Sequence, residues 1–239
     1  MAPDFRAQLQ ANLNGTFSLE RELGGGGMSR VFLATETALG RRVVIKTVPG
    51  DMLSGAAAER FRREILTAAR LSHPNIVPVL AAGDAGGVPW FSMPWVEGAS
   101  LREQLSKGAL PLSTAVTVLR DVARALADAH AHDVAHRDIK PENVLLNDGI
   151  AMISDFGVAK ALDDASDAAI RTGRRLTTVS TVLGTPNYMS PEQIGSAHVV
   201  DHRADLYAFG CVAYELLTGK VPFERSSSVN LLMAHVSDP

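Results

Sequence analysis

Apolar and polar residues alternate in short segments along the first part of the chain, and glycine-rich turns separate these segments. The alternation occurs at Phe17 and Leu19 and again at Val31 and Leu33, and residues Arg42–Val48 are rich in β-branched side chains. A period of two and an enrichment in β-branched residues are both typical of β-strands. The pattern therefore predicts antiparallel strands throughout this part of the chain.

A helical pattern follows at residues 56–71, where apolar side chains repeat at the spacing of one helix face. The residues on this face are Phe61, Ile65, Ala68, Ala69 and Leu71. The chain then returns to strand-like segments at residues 76–82 and 88–96, which flank a turn rich in glycine. We therefore expect one helix and two further strands in this region.

The pattern becomes mainly helical in the second half of the chain. Ser113 is the predicted N-cap of a long helix that runs through Ala131, and residues 190–193 have the form of a capping box. A strongly apolar helix is predicted over residues 205–218, and Gly219 is expected to end it. Strands first and helices later favour an α+β fold.

Composition and charge narrow the classes of function. The 239 residues are 46% apolar and 21% charged, as in an ordinary folded protein. A net charge of −3 does not favour nucleic acid or an anionic membrane as a partner. The chain shows no signal peptide and no apolar run of about 18 residues, so we expect no membrane segment in it.

Cysteine usage points to a reducing compartment. Cys211 is the only cysteine, so an internal disulfide is impossible, and a cytoplasmic protein is expected. This residue lies in an apolar run, where a small buried side chain is favoured over a reactive nucleophile.

The strongest chemical signal is a string of residues with acids, a lysine and an amide. Residues 136–143 read His-Arg-Asp-Ile-Lys-Pro-Glu-Asn, and Asp155-Phe156-Gly157 begins twelve residues after Asn143. Phosphoryl transfer needs one carboxylate to accept the proton of the attacking hydroxyl, and a second carboxylate with an amide to hold Mg²⁺. It also needs a lysine to neutralise charge on the transferred group, and this region contains the complete set.

This string resembles the catalytic loop and metal-binding motif of the protein kinases. The resemblance implies that Asp138 orients and deprotonates the acceptor hydroxyl, and that Lys140 stabilises charge on the γ-phosphoryl group. Asn143 and Asp155 would hold Mg²⁺, with Mn²⁺ as an alternative ion. Lys140 lies two residues after Asp138, which is typical of serine/threonine kinases. Thr185 in a Gly-Thr-Pro motif is typical of the same class.

Other residues acquire supporting roles through the same resemblance. His136 and Phe156 would support the loops by packing, and Asp205 would anchor the catalytic loop. Arg137 precedes the catalytic aspartate, where a cation suits a phosphorylated activation loop. The candidate phosphorylation sites are Thr177, Thr178 and Thr181. The first two are favoured, because they lie seven to eight residues before Thr185.

A glycine-rich segment between the first two strands resembles the loop that covers the phosphates of ATP in this family. Gly24 and Gly26 match the family pattern, and Ser29 stands where the third glycine usually is. Missing side chains let backbone N–H groups approach the phosphates. The resemblance further implies that Lys46 binds the phosphates and pairs with Glu64 on the following helix.

ATP is the implied cofactor, and its adenine would contact the backbone of residues 93–96. Apolar side chains of Val44, Met93 and Leu145 would enclose the ring. The nucleotide-binding set that the resemblance implies is Leu23, Gly24, Gly25, Gly26, Gly27, Met28, Ser29, Val31, Val44, Lys46, Met93, Pro94, Val96 and Leu145.

The resemblance covers nearly the whole chain and is greatest to bacterial Hanks-type serine/threonine protein kinases. It implies a bilobal α+β fold, with a short extension at residues 1–16, a β-rich N-lobe with one main helix at 17–96 and a mostly helical C-lobe at 97–239. The last helices of the family would follow Pro239. We therefore expect an incomplete C-lobe, in which Glu192 is buried without its usual cationic partner.

Proteins with serine or threonine acceptors are the implied substrates, in bacterial signalling. Activation would come from autophosphorylation of the activation loop, for which a homodimer is one possible arrangement. The resemblance also implies that a membrane helix beyond this chain would anchor a longer protein. Two alternatives are open: a pseudokinase that binds nucleotide without transfer, and a kinase of small molecules. The presence of Lys46, Asp138 and Asp155 disfavours the first, and the Gly-Thr-Pro docking region disfavours the second.

Overall fold

The computed structural model describes most of the chain, in several stretches. The described residues are 5–13, 15–24, 29–48, 55–156, 186–195 and 200–238. They divide into two units. The first consists of the described residues up to Arg70 together with Pro78–Trp95, and the second of Leu71–Val77 together with the described residues from Val96 on.

A five-stranded sheet forms the centre of the first unit, and neighbouring strands in it are antiparallel. Its strands, in the spatial order β1-β2-β3-β5-β4, are β1 (Phe17–Gly24), β2 (Arg30–Glu36), β3 (Arg41–Thr47), β4 (Ala81–Asp84) and β5 (Pro89–Pro94). The alternating pattern of the first part of the chain therefore forms antiparallel strands, as predicted.

The two faces of this sheet carry different side chains, because successive residues of a strand point to opposite faces. Val44 lies opposite Leu33 and Met93, and Lys46 lies opposite Val31. Directly opposed residues share a face, so these five side chains define what we call the front face. The back face of the same strands carries Phe32, Ala34, Val43 and Ile45.

A helix that the sequence does not predict, α1 (Phe5–Asn12), packs against the back face. Leu9 and Leu13 are only 2% and 3% exposed and join the hydrophobic core of the sheet. The predicted extension at residues 1–16 therefore contains an integral part of the first unit. An isolated helix of this length is unstable in water, so burial of Leu9 and of Leu13, which follows the helix, must hold it.

The main helix of the first unit is α2 (Gly55–Ala68), which ends before the predicted limit of residues 56–71. The residues of its apolar face that are buried as predicted are Phe61, Ile65 and Ala68. Ala69 follows the last helical residue and is exposed, contrary to expectation. The rings of Phe61 and Phe91 lie 6.3 Å apart, so the helix packs against β5.

The strand predicted at residues 76–82 is wrong in its first half. Val77 donates its backbone N–H to the carbonyl of Ile153 at 2.9 Å, so this segment pairs within the second unit. Pro78 has no N–H to donate to a neighbouring strand. Strand β4 consequently begins only at Ala81.

Helices dominate the second unit. They are α3 (Leu101–Leu105), α4 (Leu112–Ala131), α5 (Pro191–Ile194), α6 (Arg203–Thr218) and α7 (Ser228–Ser237), with short 3-10 turns at Pro141–Asn143 and Pro186–Tyr188. A three-stranded antiparallel sheet consists of β6 (Ala99–Ser100), β7 (Val144–Asn147) and β8 (Ile150–Ile153). The predicted α+β class is therefore confirmed. Within the part of the chain that the structure describes, every helix is too short or too polar to span a bilayer.

The two longest helices form the core of the second unit. Their apolar residues that are at most 2% exposed are Ala115, Val118, Val122, Ala125, Leu126, Ala129, Ala204, Val212 and Leu216. Helix α4 contacts both α6 and β8. The residues just before β7 and just after β8 are therefore attached to a packed helical core.

The ends of these helices follow local chemistry, with one correction. The N-cap predicted at Ser113 is wrong, because α4 begins at Leu112 and Pro111 occupies the capping position. Proline has its φ fixed near −65°, and here its carbonyl accepts the N–H of Ala115 at 2.9 Å. Gly219 ends α6 in a left-handed conformation, with φ 75°, as predicted.

Candidate active site

Two predicted catalytic side chains and one predicted metal-binding side chain meet in one hydrogen-bonded cluster in the second unit. The Nζ atom of Lys140 lies 2.7 Å from Oδ2 of Asp138. Asn143 donates from Nδ2 to the same oxygen at 3.1 Å and to the Asp138 carbonyl at 2.8 Å, because the 3-10 turn brings its amide back toward the aspartate. The side chain of Asp138 is 33% exposed, so a substrate hydroxyl can reach its carboxylate.

His136 holds Asp138 from the buried side. Its ring is fully buried, with Nδ1 3.2 Å from the backbone nitrogen of Asp138 and Nε2 2.7 Å from the carbonyl oxygen of Ser154. A backbone N–H can only donate and a carbonyl can only accept, so the ring proton lies on Nε2. The ring of Phe156 packs edge-on at 4.7 Å. His136 and Phe156 therefore pack beneath the loop, as expected.

Asp205 anchors the backbone that leads into this cluster. Its carboxylate is fully buried and accepts the N–H of His136 at 2.8 Å and the N–H of Arg137 at 2.6 Å. The Nε2 atom of His130 lies 2.8 Å from the same carboxylate. Because Asp205 lies in the first turn of α6, this helix holds the loop that leads to Asp138. The anchor that the resemblance implies is present, and His130 is a partner that the sequence does not predict.

The pKa of Asp205 lies below its ordinary value. Burial by itself raises the pKa of a carboxyl group. The hydrogen bond from His130 and the two backbone N–H bonds stabilise the charged form and outweigh burial. The carboxylate therefore stays ionised at neutral pH, and its hydrogen bonds are charge-assisted.

Arg137 has a left-handed backbone, with φ 66°. This conformation costs about 1–3 kcal/mol for a residue with a Cβ atom, so the surroundings must hold it. Its N–H donates to Asp205, its carbonyl accepts from Gln193 at 2.8 Å, and its Nη2 donates to the Val200 carbonyl at 2.7 Å. Its pairing with a phosphorylated loop stays a prediction.

The two predicted metal-binding residues are linked through the backbone. Ser154 donates its N–H to the carbonyl of Asn143 at 2.9 Å. Asp155 follows with a left-handed φ of 68°, which aspartate tolerates better than most residues. The pairing of β7 with β8 thus fixes the backbone next to both residues.

These two residues fit a magnesium ion by the chemistry of their donor atoms. Mg²⁺ prefers oxygen ligands and commonly binds one or two protein groups together with substrate phosphates. Asn143 uses its Nδ2 group to hold Asp138, so Oδ1 is the atom that a metal would use. Asp155 contributes a carboxylate, which completes a small all-oxygen set.

Four of the nucleotide-binding residues predicted in the first unit lie on the front face of its sheet. Val44 is 7% exposed and lies opposite Met93, which is 9% exposed. On the same face Val31 lies opposite Lys46. Apolar surface that suits an adenine ring therefore lies beside a cation that suits phosphate. Ser29, just before β2, is 7% exposed, and its part in binding phosphate stays a prediction.

The remaining predicted residues are divided between the units or lie outside the described residues. The first unit contains Leu23, Gly24, Pro94 and Glu64, and the second contains Val96 and Leu145. The pairing of Glu64 with Lys46 stays a prediction. The predicted residues that lie outside the described part of the chain are Gly25, Gly26, Gly27, Met28, Thr177, Thr178, Thr181 and Thr185.

A network of ionic and hydrogen-bonded groups beside the catalytic turn is not predicted from the sequence. Arg102 on α3 donates to Glu142 at 2.8 Å and to Glu215 on α6 at 2.6 Å. It also donates to the hydroxyl of Tyr188, which in turn donates to Glu215. The side chain of Glu215 is only 7% exposed. Glu142 directly precedes Asn143, so this network ties the catalytic turn to two helices.

Glu192 does not occupy the buried position expected for it. It is half-buried, and its helix α5 contains no buried residue. The reason is that α5 is a single turn, which leaves each of its side chains partly in solvent. The predicted capping arrangement at its start is present, since the side chain of Gln193 accepts the N–H of Ser190 at 3.0 Å.

Comparisons with known proteins find relatives of this chain. The family model described as protein kinase domain matches residues 17–238. A probable serine/threonine-protein kinase of Corynebacterium efficiens is 40% identical over 93% of this chain and 34% of its own length. The serine/threonine-protein kinase PrkC of Bacillus subtilis is 36% identical over 94% of this chain and 34% of its own length. The chain thus spans about a third of the length of these curated relatives.

A solved structure has the same fold. The kinase domain of PknI from Mycobacterium tuberculosis matches with a TM-score of 0.68 at 29% sequence identity. The match covers 88% of this chain and 77% of the solved chain. It confirms the fold that the sequence predicts.

Proposed function

The chain belongs to the protein kinase domain family, and we propose that it transfers the γ-phosphoryl group of ATP to serine or threonine hydroxyls of proteins. The cluster of Asp138, Lys140 and Asn143 carries the proposal, because it joins a partly exposed carboxylate to a cation at 2.7 Å. A hydroxyl nucleophile requires such a carboxylate, and the transferred phosphoryl group requires such a cation.

In the proposed reaction, Asp138 accepts a hydrogen bond from the acceptor hydroxyl and takes its proton as the oxygen attacks the γ-phosphorus. A P–O bond forms to the protein substrate, the bond from the γ-phosphorus to the bridging oxygen breaks, and ADP leaves. Lys140 compensates charge on the γ-phosphoryl oxygens. Mg²⁺, when bound by Asn143 and Asp155, supplies further positive charge to the phosphates.

ATP and a divalent ion, Mg²⁺ or Mn²⁺, are the proposed cofactors. The front-face residues Val31, Val44 and Met93 offer apolar surface to adenine, and this supports nucleotide binding by the first unit. In the proposal Lys46 binds the phosphates and Glu64 orients it. The hydrogen-bonded support of Asp138 by its neighbours favours an active enzyme over a nucleotide-binding pseudokinase.

Serine and threonine acceptors are proposed because Lys140 follows Asp138 by two positions and because the curated relatives are named serine/threonine-protein kinases. We propose a role in bacterial signalling, with activation by autophosphorylation at Thr177, Thr178 or Thr181 and with Thr185 positioning the substrate. A homodimer would bring two copies together for this step. A cytoplasmic location is part of the proposal, supported by the single cysteine.

Transfer of radiolabelled phosphate from ATP to a generic protein substrate tests the proposal. Lys46→Met, Asp138→Asn and Asp155→Asn should each lower turnover at least about a hundredfold, because charge stabilisation dominates phosphoryl transfer. Asp133→Asn is the matched control, since Asp133 is exposed and its φ of 59° suits asparagine equally well. Nucleotide binding without transfer would indicate a pseudokinase. Near-normal turnover in Asp138→Asn would refute the assignment.

A further inference from the structure

We propose that helix α1 is a brace for the phosphate-binding end of the first unit, which positions the ends of β1 and β2 that carry Gly24 and Ser29. The brace raises the affinity for ATP without contacting it. This inference rests on the proposed function, because it assigns Gly24 and Ser29 to the binding of nucleotide phosphates.

The helix lies outside the part of the chain that the kinase family model matches, which begins at residue 17. It is nevertheless part of the core, since Leu9 and Leu13 are almost completely buried. It packs on the back face of the sheet, among residues such as Phe32 and Ile45. The nucleotide-binding side chains lie on the other face, so α1 can act on them only through the strands.

The first link is Arg30, which directly follows Ser29. Its Cζ atom lies 4.6 Å from the ring centroid of Phe5 and 5.2 Å from that of Phe32. The two rings are stacked, with centroids 6.5 Å apart and planes at 21°. Cations over aromatic faces are attracted by the ring quadrupole. The start of β2 is therefore attached to the first residue of α1.

The second link joins this arginine to the end of β1. Arg30 makes a two-pronged contact with Glu22, with distances of 2.8 Å from Nε and 2.6 Å from Nη2. The hydrogen bond from Arg30 lowers the pKa of Glu22, so the pair is charged at neutral pH. Glu22 lies two residues before Gly24. A single guanidinium thus holds α1, the end of β1 and the start of β2 together.

The third link is the edge of the sheet. Strand β1 lies at one edge of the described sheet, so its outward backbone groups have no strand partner and need other ones. Gln10 donates to the Phe17 carbonyl at 2.8 Å and accepts the Leu19 N–H at 2.7 Å. Arg6 donates to the carbonyls of Leu19 and Glu20 at 3.1 Å and 2.8 Å. Side chains of α1 therefore bind the edge backbone groups of β1 that a neighbouring strand would otherwise bind.

Bracing of this kind has a kinetic signature. Gly24 and Ser29 lie at the strand ends that the brace holds, so the brace sets the positions of their backbone groups. Pre-organisation lowers the entropy that is lost when a ligand binds. Loss of the brace should therefore raise KM for ATP, whereas kcat at saturating ATP should stay nearly constant, because Phe5 and Arg30 contact none of the proposed catalytic groups Lys46, Asp138 and Lys140 in the contacts described above.

The decisive variant is Phe5→Leu, which keeps an apolar side chain for packing but removes the ring beneath Arg30. We expect KM for ATP to rise roughly three- to tenfold, with kcat within about twofold of wild type. Phe5→Tyr keeps the aromatic face and should restore the wild-type KM. Asn12→Ala, at an exposed position of the same helix, should leave both constants unchanged.

Calorimetric titration with Mg·ADP provides a readout that does not depend on transfer, and thermal unfolding tests for a merely structural effect. An unchanged KM and Kd in Phe5→Leu would overturn the proposal. So would a fall in kcat that parallels a loss of folded protein, or a failure of Phe5→Tyr to restore KM. Wild-type chain that binds Mg·ADP but transfers no phosphate would sink the proposed function alone, and the Kd values would still decide on the brace. Wild-type chain that binds no nucleotide would overturn both.

Discussion

Replacement of Asp205 by asparagine is expected to detach the catalytic loop from helix α6. One oxygen of the buried carboxylate accepts the N–H of Arg137 at 2.6 Å, and the other accepts the N–H of His136 at 2.8 Å. Asparagine keeps the shape of the side chain but has an NH₂ group in place of one oxygen, and this group can only donate. Whichever way the amide is oriented, one backbone N–H loses its acceptor.

The magnitude follows from these contacts. A buried donor without an acceptor costs about 1–3 kcal/mol, and each hydrogen bond that loses its charge assistance weakens by about 1 kcal/mol. We therefore expect the free energy of unfolding to fall by about 2–4 kcal/mol, out of the roughly 5–15 kcal/mol that is typical of a domain. Asp205 also holds the left-handed backbone of Arg137. Relaxation of that backbone would displace Asp138 and lower turnover.

Urea unfolding followed by circular dichroism measures the first effect, and phosphate transfer under conditions where the variant is folded measures the second. Asp201→Asn is the control, because the side chain of Asp201 is 34% exposed and asparagine can still accept the N–H of Arg203, whose nitrogen lies 2.8 Å from Oδ1. Its unfolding midpoint should match that of wild type, since exposed ion pairs contribute little. Equal midpoints and equal rates for wild type and Asp205→Asn would refute the reasoning.

The same carboxylate should set an acid limit to stability. The pKa of Asp205 is lower in the folded state than in the unfolded chain, where it is about 4. Its contribution is therefore fully present above about pH 4 and is lost as the pH falls through the folded-state pKa. The difference in unfolding free energy between wild type and Asp205→Asn should shrink below about pH 4. A constant difference from pH 7 into this acid range would contradict the lowered pKa.

Two further predictions concern the second unit. Arg102→Met should lower the free energy of unfolding by about 1–3 kcal/mol, because the buried Glu215 loses its cation but keeps its bond from Tyr188. Urea unfolding measures this, with the exposed Arg41→Met as control, and an unchanged midpoint would count against the network. Burial raises the pKa of the Cys211 thiol to about 11, so iodoacetamide at neutral pH should leave it intact in folded protein and alkylate it in urea. Mass spectrometry distinguishes the two, and rapid alkylation of folded protein would show that Cys211 is accessible.

Local preference in the sequence determined most of the secondary structure of this protein. The alternating pattern placed the first three strands, and Gly219 marked the end of α6, because such preferences act within a few residues. Two of the boundary errors lie at prolines. Pro78 delays the start of β4, and Pro111 takes the capping position that Ser113 was expected to hold. In both places a ring without an N–H decided the boundary.

The candidate catalytic cluster could also be predicted, because its members are close together in the chain. Asp138, Lys140 and Asn143 need only a short turn to come within hydrogen-bond distance. The roles of these residues came from the resemblance of the motif to a known family. The front face of the sheet followed from strand alternation, which fixes on which side Val44 and Lys46 lie.

Contacts between distant segments were decided by tertiary structure alone. Arg102 reaches Glu142, Tyr188 and Glu215 from 40, 86 and 113 positions away. The eight-residue helix α1 has too few apolar residues to be recognised, and its place depends on an arginine that follows the glycine-rich segment. A sequence pattern records what each segment prefers by itself. The partners of a buried charge, and the docking of a short helix, depend on which segments the packed core brings together.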